Sequence, residues 1–442
     1  MSWIAHAEAL ADHVEGQCAG DRRFAFWVQA EDTDFVRFTR GRVRQPGTVR
    51  QASATLRWVV GDRHAEAEVT LSGDRAEDVR RLDRLVGELD ALVPRLPPDP
   101  HLMLPDGVEH TVEDDGGTAP DAAQVVQDVV EAAGEADLVG IYAGGAVHRV
   151  FRNELGQRNR FTRHGFLLDW CLVHSRDKAT QARLGADVWS REALEAEMRA
   201  AREDLEALAR PPVTLAPGRY RAWLGPRALA ELLGLVGMDA FSAKALHEKR
   251  SPLAALADGR QQLDPRVHLA EDLLGGTAPR FGKEGFVMPE RVDLVQAGRH
   301  AGALVSPRAA RELGLDTTGA GVWEQPVALA LAAGDLPTSE ARAALGTGLW
   351  IPDLWYVNHA DRNAARLTGM TRFATLWVED GEVVGPVEPM RFDDTLYGLL
   401  GDRLERLGQE QVLLPSTSTY GSRSTDSVRT PGVLVAGLEL TL

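Results

Sequence analysis

The chain has 442 residues, of which 44% are hydrophobic and 26% are charged. This composition is typical of a globular protein with two or three domains and enough apolar residues to bury substantial cores. The formal net charge is −16, which argues against a general nucleic-acid-binding or anionic-membrane-binding surface. Cys18 and Cys171 are the only cysteines, so we expect no disulfide framework and a reducing, cytoplasmic location.

The sequence contains no recognisable targeting or membrane segment. The first sixteen residues, MSWIAHAEALADHVEG, carry acidic residues and no basic stretch before an apolar core. They predict an amphipathic helix and not a signal peptide. No apolar run reaches the ~18 residues that a membrane span requires. We therefore expect no membrane partner.

The first block of elements predicts strands followed by a helix. Segments between residues 24 and 71, such as FAFWVQA and VRQASATLRWVV, are rich in Val, Phe, Trp and Thr, which favour strands. Residues 74–93 place Val and Leu at three- and four-residue steps, which predicts an amphipathic helix. A proline-rich connection, PRLPPDP, ends this helix.

The second block predicts a helix over residues 121–133 and then more strands. The segment ADLVGIYAGGAVHRVFRN is interpreted as a hairpin that turns near Gly144 and Gly145. Strands continue to about residue 187, and residues 191–210 predict a helix. Pro211 and Pro212 end this helix and mark the predicted boundary between an α/β domain, residues 1–210, and a β-rich domain, residues 211–442.

The second half opens with a short strand, RYRAWLG, and a helix, PRALAELLGLVGM, which has proline in its first turn. Strands dominate the rest, and Asp380-Gly381 between apolar stretches predicts a hairpin. Residues 393–406 are interpreted as a helix and residues 416–426 as a polar loop. No repeat of 20 to 50 residues is found. The predicted fold class is α+β.

The segment HEKRSP begins like a zinc-peptidase motif. Two imidazoles four residues apart lie on one face of a helix and can share a zinc ion. From His247 that partner position is Ser251, and in the longer HExxxH spacing it is Pro252. Neither residue supplies a zinc ligand of the usual kind. The alternative is that His247 and Glu248 form a polar helix end.

Other catalytic patterns are weaker. No glycine-rich phosphate loop of the GxGxxG or GxxxxGK[ST] type occurs. A serine nucleophile in the loop 416–426 would lack the GxSxG pattern, so a flexible loop is the simpler interpretation. Cys171 lies between apolar residues and is interpreted as a core position.

Several segments taken in order resemble the TldD/PmbA family, whose members are described as modulators of DNA gyrase and as metallopeptidase-related proteins. In the first half the resemblance rests on VRFTRGRVRQ and FRNELGQ. In the second half it rests on PGRYRAWLGPRALAELLG, on FGKEGFVMPERVDLVQAGRHAGALVSPRAARELGLDTTGAG and on TGMTRFATLWVEDGEVVGPV. The resemblance implies an N-terminal α/β domain and a C-terminal domain dominated by curved antiparallel β-sheet.

The resemblance also implies one of two branches. TldD-like chains carry HExxxH and a later cysteine as zinc ligands, whereas PmbA-like or TldE-like chains lack this set and pair with the catalytic chain. Here Pro252 stands in the slot of the second histidine, and no cysteine follows Cys171. The chain therefore resembles the TldE-like branch. No zinc or other cofactor is expected in it, and zinc is expected in a TldD-like partner.

The family resemblance further implies a peptidase that trims or degrades unfolded peptides in a chamber between subunits. An extended peptide can add to a sheet edge through main-chain hydrogen bonds. The segment FGKEGF is the predicted peptide-binding stretch, through Phe281, Gly282, Glu284 and Gly285, with Glu284 meeting the amino end of a peptide. The alternative is a turn that its glycines hold in place.

We expect the chain to form a dimer, with itself or with a TldD-like catalytic subunit. Trp350, Trp355 and Tyr356 lie in GLWIPDLWYVN, where Pro352 indicates a sheet edge or a loop. Aromatic residues of this kind often anchor interfaces, although they can also fill the core of their own domain. Two other hypotheses remain from the sequence: a homo-oligomeric peptide-binding protein, and a stand-alone peptidase with a non-standard site.

Overall fold

The structure is a computed structural model that describes residues 2–175 and 178–441. It contains 25% helix and 40% strand, and the fold class is α+β as predicted. The α-helices in the described ranges are α1 (Trp3–Glu15), α2 (Arg75–Leu92), α3 (Ala122–Ala133), α4 (Arg191–Leu208), α5 (Pro226–Ala240), α6 (Ala243–His247), α7 (Ala254–Ala257), α8 (Pro307–Leu313) and α9 (Ala341–Leu345).

A sheet of seven strands occupies the N-terminal half. Its strands are β1 (Arg22–Thr39), β2 (Arg42–Val60), β3 (Arg63–Leu71), β4 (Thr111–Asp114), β5 (Leu138–Asn153), β6 (Arg158–Ser175) and β7 (Lys178–Ala186). They follow the order β3-β2-β1-β5-β6-β4, and β7 also pairs with β6. β5 therefore lies in the middle of this sheet.

Two further sheets form the C-terminal half. The six-stranded sheet consists of β9 (Leu269–Asp272), β10 (Arg291–Gln296), β11 (Arg299–His300), β12 (Ala328–Leu331), β20 (Val412–Pro415) and β21 (Ser427–Thr430). The nine-stranded sheet consists of β8 (Gly218–Leu224), β13 (Gly348–Ile351), β14 (Trp355–Asp361), β15 (Arg366–Met370), β16 (Leu376–Glu379), β17 (Glu382–Pro386), β18 (Arg391–Thr395), β19 (Leu404–Leu407) and β22 (Val433–Leu440). Most neighbouring strands are antiparallel, and β14 lies at one edge of the larger sheet.

The cores follow from the apolar faces of these elements. In the N-terminal half, α1 and α2 pack Leu10 and Leu82 against Phe26 and Leu56 of the sheet. In the C-terminal half, the largest cluster joins α5 to both sheets, and every one of its buried residues lies between 222 and 440. No sheet in the described ranges mixes strands from the two halves. The domain boundary at residue 210 stays a prediction.

The predicted hairpin at Gly144 and Gly145 is wrong, because β5 runs unbroken through both residues. Gly145 lies opposite Thr33 on β1 and Gly165 on β6. A Cβ added at Gly145 would lie 2.0 Å from the backbone oxygen of Asp32. The glycine therefore allows close contact between two strands and does not form a turn.

The helix predicted over residues 393–406 is also largely wrong. Strands β18 and β19 occupy the two ends of this range, and a single π-helical turn, Gly398–Asp402, lies between them. Pairing with β15 and β22 determines the conformation here, so tertiary context overrides the local helical pattern. The Asp380-Gly381 hairpin is confirmed, with β16 and β17 paired on either side of it.

Among the described residues, no helix combines the length and apolar character that crossing a membrane requires.

Gly145→Ala should lower the free energy of unfolding by about 1–3 kcal/mol, because the new Cβ would overlap the backbone of β1. Gly87→Ala on α2 is the matched control: a Cβ there meets no atom within 4 Å, and alanine favours a helix, so stability should stay constant or rise. Urea denaturation of both variants measures the difference. Equal stability of Gly145→Ala and the wild type would show that β1 and β5 are not this close.

Candidate functional site

The FGKEGF segment lies against the seven-stranded sheet. Phe281 is 1% exposed and packs with Phe151 and Phe161, which belong to β5 and β6. Its ring meets that of Trp27 on β1 edge to face, with centroids 5.8 Å apart. This aromatic contact seats a loop of the C-terminal half on the N-terminal sheet.

Gly285 adapts the same segment to the sheet. Its φ is +82°, and an added Cβ would lie 2.3 Å from the ring of Phe151. The carbonyl of Gly285 accepts a hydrogen bond from Nε2 of Gln157 at 2.7 Å. Glycine is therefore required both by backbone conformation and by close approach.

Glu284 forms an ion pair with Arg57 of β2. Arg57 Nη2 donates to Glu284 Oε1 at 3.0 Å, and Nη1 donates to the other carboxylate oxygen. The two side chains are only 12% and 14% exposed. Burial opposes the charge on Arg57, but hydrogen bonds to Glu284 and Glu66 outweigh it and raise the pKa of the guanidinium. A peptide amino group at Glu284 would have to compete with Arg57.

Phe281 and Gly282 also line a cavity of about 200 Å³ between the seven-stranded and six-stranded sheets, which we name the inter-sheet cavity. Its lining combines apolar and ionisable side chains. The apolar lining includes Trp27, Phe281 and Met288, and the polar lining includes Arg149, Glu271 and Asp426.

Glu271 is a buried acid on β9. It is 3% exposed, and its carboxylate accepts hydrogen bonds from the backbone N–H groups of Val327 at 2.9 Å and Ala328 at 3.2 Å. Burial raises its pKa to about 7 in spite of these bonds. Burial also raises the pKa of Asp426. With a pKa of about 7, Glu271 is only partly ionised near neutral pH.

The polar loop 416–426 contributes Thr425 and Asp426 to the cavity lining and is anchored to the N-terminal sheet. Arg423 donates to the carbonyls of Gly145 and Gly165, both at 3.1 Å, and its backbone N–H donates to Glu31 at 3.1 Å. Gln51 donates to the carbonyl of Gly421 at 2.6 Å. Hydrogen bonds at Gly421 and Arg423 therefore hold part of the predicted loop against the N-terminal sheet.

His247 and Glu248 lie at the end of α6 and are exposed. The carboxylate of Glu248 accepts a hydrogen bond from Nε of Arg250 at 2.6 Å. The helix ends here because Lys249 adopts a positive φ of 59°. The chain then turns inward, so that Ser251 is buried and its hydroxyl donates to the carbonyl of Ala240 at 2.8 Å.

The three aromatic residues of the predicted interface occupy different environments. Trp350 packs within the chain, with its ring stacked on Trp223 at 5.8 Å. Trp355 and Tyr356 lie on the edge strand β14 and are 40% and 73% exposed. Arg372 covers one face of Trp355 at 4.4 Å from the ring centroid. The interface itself stays a prediction.

The family model described as the PmbA/TldA metallopeptidase C-terminal domain matches residues 217–442. This chain belongs to the PmbA/TldD family. No curated protein matches it.

Three solved structures share the fold of this PmbA/TldD-family chain over nearly its whole length. A Thermotoga maritima protein described as a modulator of a DNA gyrase has a TM-score of 0.77 at 15% identity, with 100% of both chains covered. TldE from Thermococcus kodakarensis has a TM-score of 0.77 at 15% identity, covering 99% of this chain and 100% of its own. A Bacteroides thetaiotaomicron protein described as a modulator of DNA gyrase has a TM-score of 0.73 at 15% identity, covering 99% and 98%.

The zinc ion of TldD-like family members does not fit the residues at this helix end. His247 points to solvent, the Ser251 hydroxyl is occupied by a backbone carbonyl, and Pro252 has no ligating side chain. Burial raises the pKa of both cysteines to about 11, so neither is a ready thiolate ligand. Within residues 2–175 and 178–441, no group of three or more His, Cys, Asp or Glu side chains is placed to hold a metal ion.

Sequence patterns alone do not indicate the polar lining of the inter-sheet cavity. Glu271 follows the apolar pair Leu269-Ala270 on β9, and Arg149 lies between apolar residues of AVHRVF. A charged residue within an apolar strand pattern is a signal for a buried polar site. Only the fold shows that these two residues and Asp426 line one cavity.

Glu284→Gln should lower the free energy of unfolding by about 1–3 kcal/mol, because it leaves a largely buried guanidinium with one carboxylate fewer. Lys283→Met is the matched control. Lys283 bonds Glu66 at 2.6 Å with side chains 38% and 37% exposed, so its loss should cost less than about 1 kcal/mol. Denaturant titration of both variants makes the comparison, and equal losses would contradict a buried role for Glu284.

Stability should also depend on pH through Glu271. Its folded pKa of about 7 exceeds the ordinary value of 4.5, so between these values the folded state binds more protons than the unfolded state. The free energy of unfolding therefore falls as pH rises through this window, by on the order of 3 kcal/mol.

Glu271→Gln should remove this component, because the amide stays neutral and its oxygen can still accept the two backbone hydrogen bonds. Relative to the wild type, the variant should become more stable as pH rises from 5 to 8. Denaturation at several pH values measures the difference. A stability difference that does not change across this range would rule out a neutral buried Glu271.

Proposed function

We propose that this PmbA/TldD-family chain is a non-catalytic, TldE-like subunit of a two-chain zinc peptidase that processes or degrades unfolded peptides in the cytoplasm. The observation that carries the proposal is the helix end at His247. The motif starts as HExxxH, but the helix stops at its first histidine, and the second position is a buried proline. The likeness of the fold to a TldE structure also supports it.

The hydrolytic step belongs to the partner in this proposal. A zinc peptidase uses a metal-bound water as its nucleophile, and this chain has no complete set of residues for that metal among those described. Its own contribution is to bind and position peptide. The inter-sheet cavity supports peptide binding, because its lining combines apolar residues with three ionisable side chains.

The exposed edge of the nine-stranded sheet supports pairing with another chain. Among the described residues, β14 has no neighbouring strand on its outer side, and the ring centroids of Trp355 and Tyr356 there lie 5.5 Å apart. Tyr356 has a positive φ of 55°, a strained conformation for a bulky residue. Exposed aromatic residues at a sheet edge suit both main-chain pairing and an anchored interface.

Co-purification with a TldD-like chain, followed by metal analysis and a peptide-cleavage assay, tests the proposal. The complex should contain about one zinc per TldD-like chain and should cleave an unstructured peptide in a chelator-sensitive manner. This chain alone should neither hold stoichiometric zinc nor cleave the peptide. Trp355→Ala should weaken association at least tenfold without lowering the thermal midpoint.

Trp323→Ala is the matched control, since Trp323 is 76% exposed and lies outside the edge strand. It should leave association unchanged. Stoichiometric zinc in the isolated chain that His247→Ala removes would overturn the non-catalytic assignment. So would cleavage by the isolated chain that survives a chelator, which would favour a stand-alone peptidase. Self-association with no affinity for a TldD-like chain would favour a homo-oligomeric peptide-binding protein.

A further inference from the structure

Arg149 is a nearly buried cation at the centre of the seven-stranded sheet. It lies on β5 opposite Gln29 of β1 and Phe161 of β6. The residue is 8% exposed, and it lines the inter-sheet cavity together with Glu271 and Asp426. Burying a charge in this way is unfavourable unless a partner compensates for it.

Arg149 has no such partner within the described residues. Its hydrogen bond there runs from Nη1 to the neighbouring carbonyl of His148 at 2.9 Å, and no carboxylate lies within ion-pair distance. Glu31 and Asp426 are near enough to favour its charge, but burial still lowers its pKa to about 10. The guanidinium remains charged at neutral pH and lacks an anion in direct contact.

Arg152, on the same strand, is a buried arginine whose positive charge is compensated by carboxylates. It is 0% exposed, and its guanidinium donates to Glu8 at 2.6 Å, Asp12 at 2.9 Å and Glu15 at 2.7 Å. All three acids lie on α1. The chain therefore supplies carboxylates to one buried arginine of β5 and none to the other, although both are only three residues apart.

We propose that Arg149 binds the α-carboxylate of a ligand whose apolar side chain occupies the inter-sheet cavity. A guanidinium forms paired, charge-assisted hydrogen bonds with a carboxylate. Trp27, Phe281 and Met288 provide apolar lining for the side chain, and the volume of about 200 Å³ suits one side chain of leucine or phenylalanine size. The inference deepens the proposed function, because it rests on this chain binding peptide.

The surroundings favour a monoanion over a more highly charged ligand. Asp426 and Glu31 both lie near Arg149, so a phosphate dianion would meet more repulsion than a carboxylate. A second cavity of about 370 Å³, lined by Gln29, Gln51 and Arg423, also borders Arg149. It offers room for preceding residues of a peptide. A free amino acid and the C-terminus of a peptide share the recognised chemistry.

Titration calorimetry on the full-length chain with N-acetyl-leucine, N-acetyl-leucinamide, leucine, Ala-Ala-Leu and inorganic phosphate tests the inference. N-acetyl-leucine should bind at least tenfold more tightly than N-acetyl-leucinamide. Inorganic phosphate should bind more weakly than N-acetyl-leucine. Tighter binding of leucine identifies a free amino acid as the ligand. Tighter binding of Ala-Ala-Leu identifies a peptide C-terminus.

Arg149→Met should weaken binding of N-acetyl-leucine at least tenfold while leaving the thermal midpoint unchanged or raised, because it removes an uncompensated buried charge. Arg84→Met is the matched control: Arg84 is exposed on α2, away from the cavity, and its loss should not change binding. If Arg149→Met does not fold, the affinities of the wild-type chain for N-acetyl-leucine and N-acetyl-leucinamide still test whether the site recognises a carboxylate.

Equal binding of acid and amide, unchanged binding by Arg149→Met, tighter binding of phosphate, or no binding at millimolar concentration would each overturn the inference. The result is independent of the assembly experiment. If the chain binds a TldD-like partner but does not bind N-acetyl-leucine, only the carboxylate site is refuted. If it binds N-acetyl-leucine but no TldD-like partner, only the subunit assignment is refuted.

Discussion

The contact between the FGKEGF segment (the loop Phe281–Phe286) and the N-terminal sheet is the constraint on which the candidate site depends. Its aromatic part seats Phe281 against Phe151 and Phe161, and its ionic part joins Glu284 to Arg57. Both parts are largely buried, so each resists competition from water more strongly than a surface contact would. Without this contact the inter-sheet cavity would lose part of its lining, because Phe281 and Gly282 line it.

The helix end at His247 is the point where the local conformation departs from that of a continuous helical motif. A helical zinc motif needs a continuous helix to hold its two histidines at a fixed separation. Here Lys249 leaves the helical conformation, and the buried Ser251 and Pro252 draw the chain into the core. The inter-sheet cavity lies elsewhere in the fold and includes neither His247 nor Pro252 in its lining.

The sequence predicted the elements whose signals are local. The helices α2 and α4 follow from their apolar spacing, and the Asp380-Gly381 turn follows from its backbone requirements. The errors arose where tertiary contacts decide. Gly145 resembled a turn residue, but it is required because β1 approaches β5, and the chain around residue 400 forms strands because neighbouring strands pair with it.

Sequence patterns predict the candidate site only in part, because contacts between distant parts of the chain form it. The glycines of FGKEGF indicate close backbone approach, and in the structure Gly285 fits against the ring of Phe151 in the other half. The sequence predicts that Glu284 meets a peptide, which stays a prediction; its carboxylate bonds Arg57, a contact across 227 positions that no local pattern encodes. Arg149, Glu271 and Asp426 come from three distant parts of the chain, so only the fold brings them together.

Native-state hydrogen exchange of the Phe281–Phe286 loop tests most directly whether this contact holds the two halves around the cavity. The backbone N–H of Gly285 donates to the carbonyl of Gly282 at 3.0 Å within the docked loop. If the loop is held as described, this N–H should exchange with nearly the same opening free energy as the N–H groups of β5. An opening free energy several kcal/mol lower than that of β5 would mean that the loop detaches on its own, and would contradict the account.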